Sequence, residues 1–192
     1  MAGECDGVVG NGDEKCLCNE GDLGPKDLQH GSSPITLLEG YRRLGRLKPA
    51  EFLATWRTLV VENGKSQTRW KWPNASQEGF LLNQHGQPIA GTTMLGVGTL
   101  IDRFGHEDTT YFAPFATPYS MRSLPPSSLN DDYAVYAVKK SIAVVAGPIA
   151  PGFEQPGLGT QYIFRMKPGD LFDGSWLTKL SADEVLHLYN SA

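Results

Sequence analysis

No apolar run in this chain approaches the ~18 consecutive residues that a membrane-spanning helix needs. A basic excess is also lacking: 17 Lys and Arg stand against 21 Asp and Glu, for a net charge of −4. No positive field is present to gather a phosphate backbone, so nucleic acid is excluded as a partner class. Cysteine is scarce. The three residues, Cys5, Cys16 and Cys18, all lie in the opening segment, which leaves the body of the chain without a disulfide framework. Several chemical signatures are missing too: no Walker loop, no GxGxxG between strand and helix, no HExxH and no GxSxG. Gly96-Val97-Gly98 is a partial match that a Gly-rich bend between strands explains. Neither an internal repeat nor a low-complexity tract occurs. What is present is an ordinary globular balance, 40% hydrophobic and 20% charged. Its 22 Gly and 13 Pro favour many turns and short strands over a helical bundle.

Residues 1–33 read as a cysteine-containing arm and 34–192 as the folded domain. The arm is rich in Gly and acidic residues and shows no positive n-region or apolar h-region. The chain is therefore either cytoplasmic or a secreted protein whose signal has been removed, and the cysteines favour secretion. A disulfide from Cys5 to Cys16 or to Cys18 would staple a segment with too little apolar sequence to bury thiols. A zinc site would need four ligands, and nearby partners are lacking. Asn74-Ala75-Ser76 is an N-glycosylation sequon, relevant only if the chain is secreted.

Past Pro34, Ile35, Leu37, Leu38, Tyr41 and Leu44 recur at helical spacing, with Gly45 placed as a cap. A second helix is expected from Pro49, with Phe52, Leu53 and Trp56 on one face. Residues 64–77 read as a loop or irregular strand. Apolar runs then predict strands over 79–83, 94–104, 110–114, 133–138, 142–145 and 161–166. Ser181 and Glu184 form a capping box that opens a final helix through Tyr189. Helices followed by a strand-rich body give an α+β domain with an antiparallel or mixed sheet.

Three segments concentrate arginine, glutamine, aromatics, Gly and Pro: Ile101–Pro114, Pro118–Pro126 and Gly147–Tyr162. That mixture suits a ligand with anionic phosphates and flat rings. Guanidinium forks pair with phosphate oxygens, aromatics sandwich heterocycles, and glycine admits close backbone approach.

The strings Asp102-Arg103-Phe104-Gly105, Arg122-Ser123-Leu124-Pro125-Pro126 and Gln155-Pro156-Gly157-Leu158-Gly159-Thr160-Gln161-Tyr162, in that order, resemble the NAD-glycohydrolase domain of the tuberculosis necrotizing toxin family. Secreted fungal members resemble it more closely, and the likeness runs back through Tyr41–Leu47 and Pro49–Trp56 to the arm. The resemblance implies a compact α+β fold whose sheet forms a cleft for NAD⁺ and NADP⁺. It implies cleavage of the nicotinamide–ribose bond with no cofactor required. By the same resemblance Arg103 binds the pyrophosphate, Phe104 and Tyr111 wall the nicotinamide pocket, and Arg122 makes a second phosphate contact. Gln161 sits by the scissile bond, and Tyr119 and Gln155 complete the substrate-binding set. A homodimer is expected by analogy.

The chemistry suits these residue types. Nicotinamide leaves a cationic pyridinium as a neutral molecule, so no strong general acid is needed. The transition state is an oxocarbenium ion, stabilised by positioning and electrostatics. One departure stands out: relatives commonly have histidine where this chain has Ala134. Its loss raises two alternatives, a cyclase in which the adenine captures the oxocarbenium to give cyclic ADP-ribose, and a binding module with weak turnover. Transfer of ADP-ribose to protein is disfavoured because no Glu-x-Glu pair occurs. Asp170 and Asp173 are too few to assign calcium, and no metal site is predicted. Of the scattered histidines, only His106 follows the Arg103 motif directly.

Overall fold

A computed structural model describes residues 3–28 and 34–191. In chain order the elements are α1 (Pro49–Trp56), β1 (Arg57–Glu62), β2 (Lys65–Trp70), β3 (Gly91–Leu95), β4 (Leu100–Phe104) and β5 (Tyr111–Pro114). Then come β6 (Tyr133–Val138), β7 (Ile142–Pro148), β8 (Thr160–Ile163), α2 (Pro168–Leu171), β9 (Leu177–Lys179) and α3 (Ala182–Asn190). The architecture is α+β, and every strand pairing among the described residues is antiparallel.

Two helices form where the sequence predicts them. Pro49 opens α1 at a position whose N–H would go unbonded anyway, and Glu51 Oε2 accepts from Lys48 N at 2.9 Å. Phe52 and Leu53 are its buried face. Before α3, Ser181 Oγ accepts from Glu184 N at 3.3 Å while Glu184 Oε2 accepts from Ser181 N at 2.7 Å.

Other elements differ from the sequence expectation. The helix predicted from Ile35 to Leu44 is a single 3₁₀ turn, Ile35–Leu38. Gly40 at φ +71° turns the chain away, and Tyr41 packs edge-on against Tyr119 at 4.8 Å. Residues 64–77, read as a loop or irregular strand, hold β2, the second strand of the hairpin β1–β2. Its turn is Asn63-Gly64, with φ of 51° and 74°, a strong two-residue hairpin signal. That signal is muted because nearly every flanking residue is exposed, so no apolar alternation marks the strands. Residues 79–83 make isolated bridges, Phe80 to Ile149 and Leu82 to Pro88, in place of a strand. The run 94–104 is two strands separated by the glycine-rich bend at 96–99.

The main sheet has the order β3-β7-β8-β5-β4-β6-β9. Four strand spacings, about 19 Å if flat, separate β3 from β4. The link from Leu95 to Leu100 spans at most about 17 Å fully extended, and β6 to β7 is linked by a shorter stretch still. The sheet must therefore curl on itself, and Gly98 N donates to Val138 O at 2.8 Å where the β4–β6 pairing runs on into the glycine-rich bend. Inside the curl lies a core of Leu95, Ile101, Phe112, Tyr136, Val138, Val144 and Leu177, drawn from six of the seven strands, with Phe164 just past the end of β8. The alternate residues Phe104 and Tyr133 face a second cluster with Leu37, Tyr119 and Leu129.

The arm is fastened to this body. Leu23 is fully buried with Phe52, Leu53 and Phe153, and Arg57 pairs with Asp22 at 2.9 Å and Glu20 at 3.4 Å. Gly24, at φ +74°, lies so close to Pro126 that an added Cβ would meet its carbonyl oxygen at 2.3 Å. The boundary expected between 33 and 34 borders residues 29–33, outside the described residues. Cys5 pairs with Cys18, leaving Cys16 buried as a free thiol whose pKa burial pushes up. Closing a loop of this length constrains the unfolded chain by about 3 kcal/mol. Reduction should lower the thermal midpoint by about 6–12 °C. An unchanged midpoint in reductant would mean that packing alone holds the arm.

Candidate active site

Strands β4 and β5 pair at two positions only, Ile101 with Pro114 and Asp102 with Ala113, and then part. The end of β4 goes with β6, where Arg103 faces Ala134 and Phe104 faces Tyr133. The start of β5 goes with β8, where Tyr111 faces Ile163 and Phe112 faces Tyr162. Between the parted strands opens a cleft of about 590 Å³, a volume suited to a small-molecule ligand. The β4–β5 connection at 105–110 and the segment from Trp72 to Gly79 supply further walls.

Five of the seven predicted site residues line this cleft: Arg103, Phe104, Tyr111, Arg122 and Gln161. Arg103 is 5% exposed. Its Nη1 donates to Thr109 O at 2.6 Å, and its Nη2 donates to Thr109 Oγ1 at 2.8 Å and to His106 O. The guanidinium also lies 5.3 Å from the centre of the Phe112 ring. Three of five N–H groups thus pin the 105–110 connection. Nε is buried with no hydrogen-bond partner among the described residues. Burial lowers the guanidinium's pKa from its ordinary value.

Arg122 is equally enclosed. Its Nε and Nη2 donate to Thr117 O at 2.9 and 2.7 Å, and its Nη1 lies 2.6 Å from Asp102 Oδ1. Asp102 is fully buried, and its Oδ2 accepts from Ala116 N at 2.9 Å and from the Tyr133 hydroxyl at 2.7 Å. The Tyr133 hydroxyl in turn lies 2.7 Å from that of Tyr189 on α3. Burial, then the Asp102 charge, drives the Tyr133 pKa far up, so this phenol stays protonated and donating. The network ties the C-terminal helix to the cleft floor.

Phe104 packs against Tyr119 and Tyr133 at 5.0 and 5.1 Å, with the Arg122 guanidinium 5.2 Å from its ring centre. It belongs to the core as much as to the cleft. Tyr111, at 41% exposed, is an accessible aromatic of the cleft, as is Trp72 at 46%. Gln161 Nε2 donates to Glu78 O at 2.8 Å. That bond assigns the amide orientation, because only nitrogen can donate to a carbonyl. Gln161 Oε1 is left as an acceptor that receives no hydrogen bond from the described residues.

Two predicted substrate contacts, Tyr119 and Gln155, lie outside this cleft. Tyr119 is fully buried, and its hydroxyl donates to Pro125 O at 2.7 Å. Gln155 Nε2 donates to Arg42 O at 2.7 Å and to Phe153 O at 3.3 Å. Neither lines the cleft. A Tyr119 ring supports Phe104 from behind, and Gln155 shapes its own loop. Ala134 is buried in the core and reaches the site only through its cross-strand neighbour, Arg103. Asp173 Oδ1 accepts from Ser175 N at 2.7 Å, and no cluster of three metal-type side chains occurs among the described residues. His106 lines the cleft.

The residue types also hid some contributors. Asp102, which stands between the apolar pair Leu100-Ile101 and Arg103, carries the only signal, a carboxylate at a strand position. Trp72 and Glu78, both cleft-lining, carry no such mark because a loop brings them in. On the same loop, Asn74 Nδ2, the sequon's acceptor atom, donates to Phe80 O at 2.9 Å.

Two buried arginines, Arg103 on β4 and Arg122 beyond β5, and an oriented glutamine on β8 thus meet around one cleft of a curled antiparallel sheet. The model of the tuberculosis necrotizing toxin family matches residues 94–180. The chain belongs to that family: it is 41% identical over 187 residues to the conidial surface nicotinamide adenine dinucleotide glycohydrolase of Aspergillus fumigatus, covering 94% of this chain and 77% of that protein. Among solved structures, tuberculosis necrotizing toxin complexed with its immunity factor shares the fold. Its TM-score is 0.62 at 16% identity, with 90% of this chain and 96% of that one covered.

Proposed function

We propose that the chain is an NAD⁺ glycohydrolase that splits the nicotinamide–ribose bond to give nicotinamide and ADP-ribose. Membership of the family and the 41% identity to a named glycohydrolase support the activity. The observation that carries the site is the oriented Gln161 amide on the cleft wall. Its Oε1 offers a partial negative charge to the oxocarbenium ion and an acceptor to the incoming water. Arg103 retains one Nη1–H for the pyrophosphate, its Nε–H being buried. Asp102 balances the charge of Arg122 and leaves two of its N–H groups for a second phosphate oxygen. Tyr111 supplies an exposed ring edge for the nicotinamide, with Phe104 behind. Once the pyridinium leaves as neutral nicotinamide, water adds at C1′ and loses a proton to solvent.

Incubation with NAD⁺, followed by chromatography with mass detection, tests this. Equal amounts of nicotinamide and ADP-ribose are expected, and the same holds with NADP⁺ for the 2′-phosphorylated product. A product lighter by one water would mark a cyclase. A raised thermal midpoint with NAD⁺ but no turnover would leave a binding module.

Secretion and self-association belong to the same proposal. The Cys5–Cys18 disulfide suits an oxidising compartment. The sheet edge β3, with Met94 60% exposed, offers a second copy a surface to cover. Sedimentation would return twice the chain mass for the dimer.

A further inference from the structure

Two β8-side residues, Gln161 and Arg165, both reach Glu78 on the cleft wall. Its main-chain oxygen accepts from Gln161 Nε2 at 2.8 Å, and its carboxylate receives Arg165 through both guanidinium arms, Nη2 to Oε2 at 2.6 Å. The backbone around it is held in an unusual shape. Glu78 has φ 56° and ψ 25°, and Asn74, four residues earlier, has φ 46°. Both lie in the left-handed region that non-glycine residues seldom occupy. Main-chain bonds from Glu78 N to Ala75 O and from Gly79 N to Asn74 O close the turn. The carbonyl that orients Gln161 therefore sits on a strained turn, and the ion pair to Arg165 ties that turn to the end of β8.

We propose that Glu78 and Arg165 are positioning residues for Gln161: their two-armed ion pair clamps the 74–79 turn so that the Glu78 carbonyl holds one amide N–H of Gln161 and thereby fixes which way its amide oxygen points. The inference rests on the glycohydrolase reading. Side-chain exposures of 54% for Arg165 and 36% for Glu78 make the pair a minor contributor to folding stability. Its purpose is then geometric. Without it the turn relaxes, the carbonyl moves, and the amide is free to rotate and offer its nitrogen to a cationic transition state.

The test compares the unsubstituted chain with Glu78→Gln, Arg165→Gln and the exchanged pair Glu78→Arg/Arg165→Glu. Each single variant should lose about 10-fold to 10²-fold in kcat, with KM for NAD⁺ within about 2-fold and an unchanged thermal midpoint. The exchanged pair should recover most of kcat, because it restores the clamp with the charges reversed. Full kcat in the single variants would overturn the inference. So would failure of the exchanged pair to recover, which would mean that the Glu78 negative charge acts on the transition state itself. The Gln161 side-chain amide gives a readout independent of turnover. Its NMR resonances should be shifted in the unsubstituted chain and collapse toward free glutamine in either single variant. No NAD⁺ cleavage by the unsubstituted chain would overturn the glycohydrolase reading, while intact amide resonances in the single variants would overturn only the clamp.

Discussion

Replacing Gln161 by alanine should lower kcat for NAD⁺ cleavage by about 10²–10³-fold, the usual cost of removing one preorganised group at a developing charge. KM should move little, because the amide acts on charge that appears only as the bond breaks. The thermal midpoint should stay within about 2 °C, since the residue is only half-buried and gives up one hydrogen bond to Glu78 O. Gln161→Glu is the sharper probe. A carboxylate accepts but does not donate, so it would lose the Glu78 carbonyl and turn away from the observed position. Substantial activity in the alanine variant would remove Gln161 from the chemistry and leave the arginines and the cleft to account for it.

The largest effect on stability is expected at Asp102. Asp102→Asn removes the charge opposite Arg122 while keeping the volume, leaving a guanidinium that is 4% exposed without its counterion. Breaking a buried pair in this way costs about 3–5 kcal/mol, or a midpoint lowered by about 6–20 °C for a chain of this size. Tyr133→Phe, which removes one donor to the same carboxylate, should cost about 1–2 kcal/mol. Turnover should fall with Asp102→Asn even well below the midpoint, because Arg122 loses its anchor. Chemical denaturation of the two variants, read alongside activity at 20 °C below the melting point, separates folding from function. A loss below about 1 kcal/mol in Asp102→Asn would show that the network is not what holds the cleft floor.

Local chemistry wrote several elements directly into the sequence. Pro49 with its apolar face, the Ser181–Glu184 box and the β-branched Tyr133–Val138 segment each carry their own signal, because a cap or a fully buried strand is decided within a few residues. Periodicity alone misled at Ile35–Leu44. There the apolar spacing serves a turn that inserts Leu37 and Tyr41 into a shared cluster, and packing outweighs helix propensity. The hairpin at 57–70 escaped for the opposite reason: its exposed faces leave only Asn63-Gly64 to announce it.

The candidate site divides along the same line. Sequence by itself determined the family resemblance, the arginine and glutamine positions, and the aromatic types beside them, since these depend on which residues occur and in what order. Tertiary structure decided how those side chains are spent. It showed Arg103 bonded to the 105–110 connection, Arg122 paired with a buried Asp102, and Tyr119 and Gln155 withdrawn into support. It also brought Glu78 and Arg165, 87 residues apart in the chain, into one ion pair beside Gln161. No spacing rule contains that contact. It exists because a seven-stranded sheet curls until its links can close, and only then do distant residues share one cleft.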